Sequence, residues 1–275
     1  MPKLFKKDDF KDNCGFGLIA NINGISSRKI VTDSIKALVS MTHRGGIGSD
    51  GKTGDGCGLL VDIDKDFYKE ALFKEQKIKL PDRYAIGQMF LYSNINELLP
   101  KIKNILKSEN LELITFRETP VNKKVLGKIA LHCLPNIYQI FISPNNQNDD
   151  EKDFQTSLLQ ARKFIEEIYL DDEKLYFCSL SSKTIVYKGL MLPNDINNFY
   201  IDLKSKEFKS SICVFHQRFS TNTSPRWHLA QPFRYLAHNG EINAIRGNRN
   251  WVKARSSIFS TPLIPKIQQF KQIVN

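Results

Sequence analysis

The sequence predicts an α+β fold. Strand-like runs and helical stripes follow one another in both orders, not as a repeated strand–helix–strand unit. Between residues 66 and 205 helical periodicity alternates with short apolar runs. Two of those runs, 175–180 and 184–188, are separated only by Ser181-Ser182-Lys183, which reads as a hairpin loop.

The elements are justified in chain order. Cys14-Gly15-Phe16-Gly17-Leu18-Ile19-Ala20 is an apolar run that reads as a buried strand, and Asn23-Gly24 is a turn signal. Ser26 or Ser27 caps a helix over 28–43, where Val31, Ile35, Leu38 and Thr42 share a face. Residues 43–58, HRGGIGSDGKTGDGCG, hold seven glycines in sixteen positions. No regular element tolerates that many, so this is a loop with unusual backbone angles or close approaches. A strand resumes over 59–63. Helical periodicity marks 66–79, 95–107 and 152–170, the last with Phe154, Leu158, Ile165 and Ile168 on a stripe. Strand runs are read at 84–92, 111–118, 128–133, 137–142, 175–180 and 184–188, and a polar loop at 145–153. Two further strands, 211–215 and 233–237, lead into HQRFSTNTSPRW and HNGEINAIRGNRNW, with a helix across 241–257.

Composition narrows the class. The 275 residues are 41% hydrophobic and 25% charged, ordinary globular usage for one large or two small domains. The net charge of +11 arises from 40 basic and 29 acidic residues. The lysines are spread along the chain among Asp and Glu, so no nucleic-acid partner is expected. The five cysteines, Cys14, Cys57, Cys133, Cys178 and Cys213, include no CxxC pair, and no metal site is expected. Widely spaced, odd-numbered cysteines suggest a reducing compartment. No apolar run reaches the ~18 residues that span a bilayer, so no membrane partner is expected. The start, MPKLFKKDDFKDN, lacks the apolar core of a signal peptide.

GDGCG at 54–58 fits neither GxGxxG nor GxxxxGK[ST], and a strand follows it where a helix should. No HExxH, EF-hand or GxSxG pattern occurs. Cys14 has two readings. A free cysteine in a first strand is ordinarily a buried structural residue. Removal of thirteen residues, however, makes Cys14 the N-terminus and places an α-amine beside its thiol. That amine, with a pKa near ~7.7–8, can take up a proton. An N-terminal nucleophile with an N-terminal base is an established way to activate a weak nucleophile, and a thiol ionising near ~8.5 needs less help than a hydroxyl.

Two blocks carry a resemblance. DNCGFGLIANINGISSRKIV with MTHRGGIGSDGKTGDGCGLLVDID, and later VFHQRFSTNTSPRWHLAQPFRYLAHNGEINAIRGNRNW, are similar to the N-terminal region of the large subunits of glutamate synthases. They are long and stand in the family's order. GKTGDGCGLL resembles the bacterial NADPH-dependent type more than the ferredoxin-dependent type. The resemblance implies a class II glutamine amidotransferase domain over 14–275 behind a propeptide of residues 1–13. The implied fold is a four-layer αββα sandwich of the N-terminal nucleophile hydrolase type. It is expected to be incomplete at its C-terminal end, because the family's further acidic loop is not found before Asn275.

The implied roles follow residue by residue. Cys14 is the nucleophile that cleaves glutamine to glutamate and ammonia. Arg218 holds the substrate α-carboxylate, for which a guanidinium suits a bidentate pair. Thr221 and Asn222 are further donors or turn stabilisers. Asn239 and Gly240 form the oxyanion hole, where losing one donor costs on the order of 10²–10³ in turnover. Glu241 accepts from the substrate ammonium or serves as a first-turn helix residue. Arg44 orders the site or is structural. No cofactor is expected within this chain. FMN and a 3Fe-4S cluster are expected in the complete large subunit, together with a synthase domain and a small NADPH-oxidising flavoprotein subunit. The implied location is cytoplasmic, or the plastid stroma for the ferredoxin-dependent type. Alternatives are a stand-alone N-terminal nucleophile amidase, a basic non-catalytic binding module, or an inactive fragment.

Overall fold

The computed structural model describes residues 15–169, 174–217, 224–234 and 246–270. Among these residues eight strands form two four-stranded antiparallel sheets. The first holds β1 (Phe16–Ala20), β2 (Cys57–Asp62), β7 (Thr184–Gly189) and β8 (Ile212–His216) in the order β1-β8-β2-β7. The second holds β3 (Ala85–Leu91), β4 (Leu111–Glu118), β5 (Asn136–Pro144) and β6 (Leu175–Ser181) in the order β4-β5-β3-β6. The helices are α1 (Arg28–Ser40), α2 (Lys65–Gln76), α3 (Ile95–Ser108), α4 (Lys128–His132), α5 (Glu151–Glu166), α6 (Ile196–Phe199), α7 (Ile201–Lys204) and α8 (Arg246–Arg255). The mixed α+β class predicted from the sequence is the class observed.

The helices start where local chemistry says they should. Ser27 caps α1 by accepting from the Ile30 N–H, and Asp64 caps α2 by accepting from Phe67. Asn94 caps α3, whose buried face is Ile95, Leu98, Ile102 and Leu106. That spacing puts four apolar groups on one stripe. It packs with Phe154, Leu158, Ala161 and Ile165 of α5 against Ala85, Met89 and Leu91 of β3 and Tyr138, Ile140 and Ile142 of β5. Each of the Leu, Ile, Met and Phe side chains among them contributes about 1.5–3 kcal/mol when fully buried.

The opposite parity of the same strands, Ile86, Phe90, Ile137 and Phe141, joins a larger core. That core also takes Val31, Ile35 and Leu38 of α1, Tyr68 and Leu72 of α2, and Leu59, Tyr187, Cys213 and Phe215 of the first sheet. Because β3 is buried on both faces, its sequence AIGQMFL shows no alternation. A polar cluster crosses this core. Arg117 of β4 donates to Gln139 of β5 at 2.8 Å and to Asp202 of α7 at 2.6 Å. Tyr187 of β7 donates to the same Asp202 oxygen at 3.0 Å, so one carboxylate ties the two sheets together.

Three readings are corrected. Residues 128–133 are not a strand but the short helix α4. Its first-turn N–H groups are taken by distant side chains: Ile129 donates to the Asp50 carboxylate at 2.9 Å and Ala130 to the Thr53 hydroxyl at 3.1 Å. A cap supplied from another part of the chain leaves no mark in the local pattern. The Ser181–Lys183 turn is tight, with the Ser181 hydroxyl accepting from Lys183 N–H at 3.0 Å. Yet it joins no paired hairpin, because β6 pairs with β3 and β7 with β2. Of the run 233–237, Phe233 and Arg234 lie outside any strand and the rest is outside the described residues.

Candidate active site

The site is built where the first strand meets the last. β1 and β8 pair in the register Phe16↔His216 and Gly17↔Phe215. One step further, the Gln217 N–H donates to the Gly15 carbonyl at 2.6 Å. Cys14 is one peptide bond before Gly15, and Arg218 one after Gln217. The ladder therefore joins the sequence neighbours of the candidate nucleophile and of the candidate carboxylate-binding residue, both of which lie outside the described residues.

The glycine-rich loop packs against this point. Thr42–Arg44 form a single turn of 3₁₀ helix, and Gly45 follows in extended conformation. A Cβ placed on Gly45 would lie 2.2 Å from Gln217 Nε2 and 2.9 Å from Asp55 Oδ1. A side chain here requires the ends of Gln217 and Asp55 to move aside and the Gln217 carbonyl, at 3.1 Å, to give slightly. Gly46 donates to Asp55 Oδ2 at 2.9 Å, and Asp55 N–H returns to the Gly46 carbonyl at 3.1 Å. Arg44 is half-buried beside them.

The loop is ordered from its far side by Asp50. Its carboxylate accepts from the Thr53 hydroxyl at 2.6 Å, from Ile129 N–H at 2.9 Å and from Thr53 N–H at 2.8 Å. These bonds hold the carboxyl well below the usual range. Gly127, the residue before α4, admits the contact, since a Cβ there would fall 2.4 Å from both Asp50 Oδ2 and Thr53 Oγ1.

The second motif block folds onto the same loop. Gly56, at φ 131°, faces Ala230, with a virtual Cβ 3.0 Å from the alanine methyl. Trp227 is fully buried and its indole N–H donates to the Ala130 carbonyl at 3.2 Å. Lys188 of β7, also fully buried, donates to the His228 carbonyl at 2.8 Å and to the Tyr176 hydroxyl at 3.3 Å. Its ammonium lies 4.6 Å from the Tyr176 ring and 4.9 Å from Phe233. Arg234 stacks over Tyr176 at 5.1 Å and reaches Glu166 at 3.6 Å. Glu166 also receives Arg162 at 2.6 Å, whose own pKa is pushed down to about 10 by burial. Lys188, Arg234 and Glu166 thus anchor the stretch that leads into HNGEI.

Of the predicted site residues, Arg44 is described. Cys14, Arg218, Thr221, Asn222, Asn239, Gly240 and Glu241 lie outside the described residues. The structure places the described flanks of the two blocks, Gly15 and Gln217, in direct contact, and brings 227–231 onto 54–58. Sequence reading missed Asp50, Asp55, Lys188 and Gln217. GSDGKTGD carried a usable hint, an Asp followed three residues later by Thr, a local side-chain turn pattern.

Three of the other cysteines, Cys57, Cys178 and Cys213, are buried and have no reactive setting. Burial pushes Cys178 and Cys213 up to about 12 and Cys57 further. Among the described residues no group of His, Cys, Asp or Glu is placed to hold a metal ion, and no helix is long and apolar enough to cross a membrane.

Comparison with known proteins agrees with the two blocks. The family of glutamine amidotransferases class-II matches residues 14–275. Ferredoxin-dependent glutamate synthase 1 of Arabidopsis thaliana is 42% identical over 89% of this chain and 15% of its own length. The NADPH glutamate synthase large chain of Bacillus subtilis is 40% identical over 94% of this chain and 17% of its own. The NADH glutamate synthase of Saccharomyces cerevisiae is 39% identical over 94% and 13%. The chain spans about a sixth of the length of these relatives, and their near-equal identities do not separate the electron-donor types. The matched region covers both motif blocks and opens at Cys14, and the chain belongs to the class-II glutamine amidotransferases.

Proposed function

We propose that this chain is the glutaminase part of a glutamate synthase, with Cys14 as its nucleophile. The observation that carries the reading is the Gln217–Gly15 contact, which brings the residue after Cys14 against the residue before Arg218.

Residues 1–13 are removed as a propeptide, leaving the α-amine and thiol of Cys14 side by side. The thiol gives its proton to the amine, and the thiolate attacks the glutamine side-chain amide carbon. Asn239 and Gly240 donate to the oxyanion that forms. As the tetrahedral adduct collapses, the carbon–nitrogen bond breaks, the ammonium returns its proton and ammonia leaves. A γ-glutamyl thioester remains. Water, deprotonated by the same amine, attacks it, and glutamate and the free thiol result. Arg218 holds the α-carboxylate, with Thr221 and Asn222 as further donors. Glu241 accepts from the α-ammonium. Arg44 braces the loop beside the nucleophile.

The family points to the four-layer αββα form of the α+β class. In the complete polypeptide the ammonia feeds reductive amination of 2-oxoglutarate. There, FMN and a 3Fe-4S cluster supply the electron chemistry. The described cysteines, Cys57, Cys133, Cys178 and Cys213, are all free, with three of them buried, and do not form a cluster site. The resemblance assigns those groups to the synthase domain of the complete polypeptide. A small NADPH-oxidising flavoprotein fits the bacterial type. The compartment is cytoplasmic, or the plastid stroma for the ferredoxin type.

The test is intact mass together with labelling by 6-diazo-5-oxo-norleucine. The expected result is loss of thirteen residues and one adduct on Cys14. An adduct on Cys57 or Cys213 with Cys14 untouched overturns the assignment. Cys14→Ala is expected to abolish glutamine hydrolysis while sparing any ammonia-dependent reaction of the full-length enzyme.

A further inference from the structure

Gln217 is fully buried, yet neither its side-chain nitrogen nor its side-chain oxygen has a hydrogen-bond partner among the described residues. Native folds keep few such groups, because a buried amide that gave up water and gained nothing opposes folding. Its place is specific. The main-chain N–H of the same residue holds the Gly15 carbonyl. The side-chain Nε2 lies against Gly45. The carbonyl side leads into Arg218. A second open group stands nearby: Arg44 Nε is buried and likewise without a partner among the described residues. Asp55, whose Oδ1 would lie 2.9 Å from a Cβ on Gly45, accepts from the Gly46 N–H through its other carboxylate oxygen.

We propose that Gln217 is a positioning residue for the glutaminase reaction. This rests on the function proposed above. Its side-chain amide lies against Gly45, while its main-chain N–H holds Gly15 just before β1. It takes up its missing hydrogen bonds from groups present only in the working complex, the free amine at position 14 and the bound substrate amide. An amide offers one acceptor and two donors and carries no charge. It can therefore orient that amine without raising its pKa, which a carboxylate in the same place would do.

The test uses the full-length polypeptide and two variants. Gln217→Met keeps the length of the side chain and removes both open polar atoms. A purely structural amide would make this variant less stable and leave turnover alone. A positioning amide predicts the reverse: a thermal midpoint equal to or above the wild type's. With it comes a loss of about 10- to 100-fold in kcat/KM for glutamine, carried by kcat. Gln217→Glu is expected to move the acid limb of the pH–rate profile to higher pH, since the new carboxylate holds the proton on the amine. Unchanged kcat/KM in Gln217→Met, a lowered midpoint or failure to fold overturns the proposal, as does an unmoved acid limb in Gln217→Glu. Those results leave the glutaminase reading standing as long as the wild type hydrolyses glutamine. A wild type that does not hydrolyse it overturns that reading, and this proposal with it.

Discussion

The Gln217 N–H donates to the Gly15 carbonyl at 2.6 Å, extending the β1–β8 ladder one residue beyond Phe16↔His216. Through this bond a residue from the first motif block and one from the second share a single hydrogen-bonded pair. Gly45 packs on the Gln217 side chain, so the loop that follows His43 is held at the same point.

Gly45→Ala is therefore expected to be more damaging than Gly46→Ala, because the buried Gln217 side chain and its carbonyl must give way. At Gly45 the new methyl meets Gln217 Nε2 at 2.2 Å and the Gln217 carbonyl at 3.1 Å. At Gly46 the nearest atom is 3.4 Å away, an ordinary contact. Overpacking of this kind costs about 1–3 kcal/mol. Thermal melts and glutamine turnover of the two variants check it. Equal melting temperatures and equal turnover would refute the packing argument.

The thiols should divide by burial. Cys57, Cys178 and Cys213 are buried with pKa values pushed up by desolvation, so almost none is thiolate at pH 8. Iodoacetamide mapping of the native protein at pH 8 is expected to leave these three unmodified until denaturant is added. Rapid native modification of Cys178 or Cys213 would contradict their placement in the core.

Asp50 should give the loop an acid sensitivity. Its carboxyl is held below the usual range, first by the Thr53 hydroxyl and then by the Ile129 and Thr53 N–H groups. A depressed folded-state pKa stabilises above the unfolded value of about 3.9, and that stability is lost as pH falls through the folded value. Asp50→Asn removes this dependence. The thermal midpoint of the variant should trail the wild type's most at neutral pH and converge with it in strong acid. A gap that stays constant with pH would sink the assignment.

Local signals were legible and long-range ones were not. The cap of α1 at Ser26 or Ser27, of which the structure uses Ser27, the helical periodicity of 95–107 and the span of β4 over 111–118 all depend on neighbours within a few residues, and all are legible in the sequence. Helix α4 was not, because its capping groups come from Asp50 and Thr53. The turn at 181–183 was readable, but a turn specifies a reversal and not which sheet the next strand joins. In the site, the reactive residues are expectations carried by the resemblance of two motif blocks, and all of them but Arg44 lie outside the described residues. The buried supports, Lys188 and Gln217, look like ordinary surface polar residues until the fold encloses them.

The ion pair between Arg117 and Asp202 offers the most demanding stability test. The two side chains are 3% and 4% exposed and 2.6 Å apart. Arg117 has a second partner in Glu75 at 2.7 Å, whereas Asp202 has no other cation among its hydrogen-bond donors in the described residues, only Tyr187 and Gln139. Removing the arginine therefore strands a buried carboxylate. Removing the carboxylate leaves the arginine a partner that reaches solvent. Breaking a buried pair from one side typically costs about 3–5 kcal/mol, while replacing both members with apolar groups costs much less. Arg117→Met should accordingly be the more damaging single change and Asp202→Asn the milder. Arg117→Met combined with Asp202→Leu should lie well above the sum of its single variants. Urea unfolding of all forms, with the slopes compared to check two-state behaviour, measures the coupling directly. Additive losses would mean that the sheets are joined at Asp202 by Tyr187 and Gln139 without help from the guanidinium.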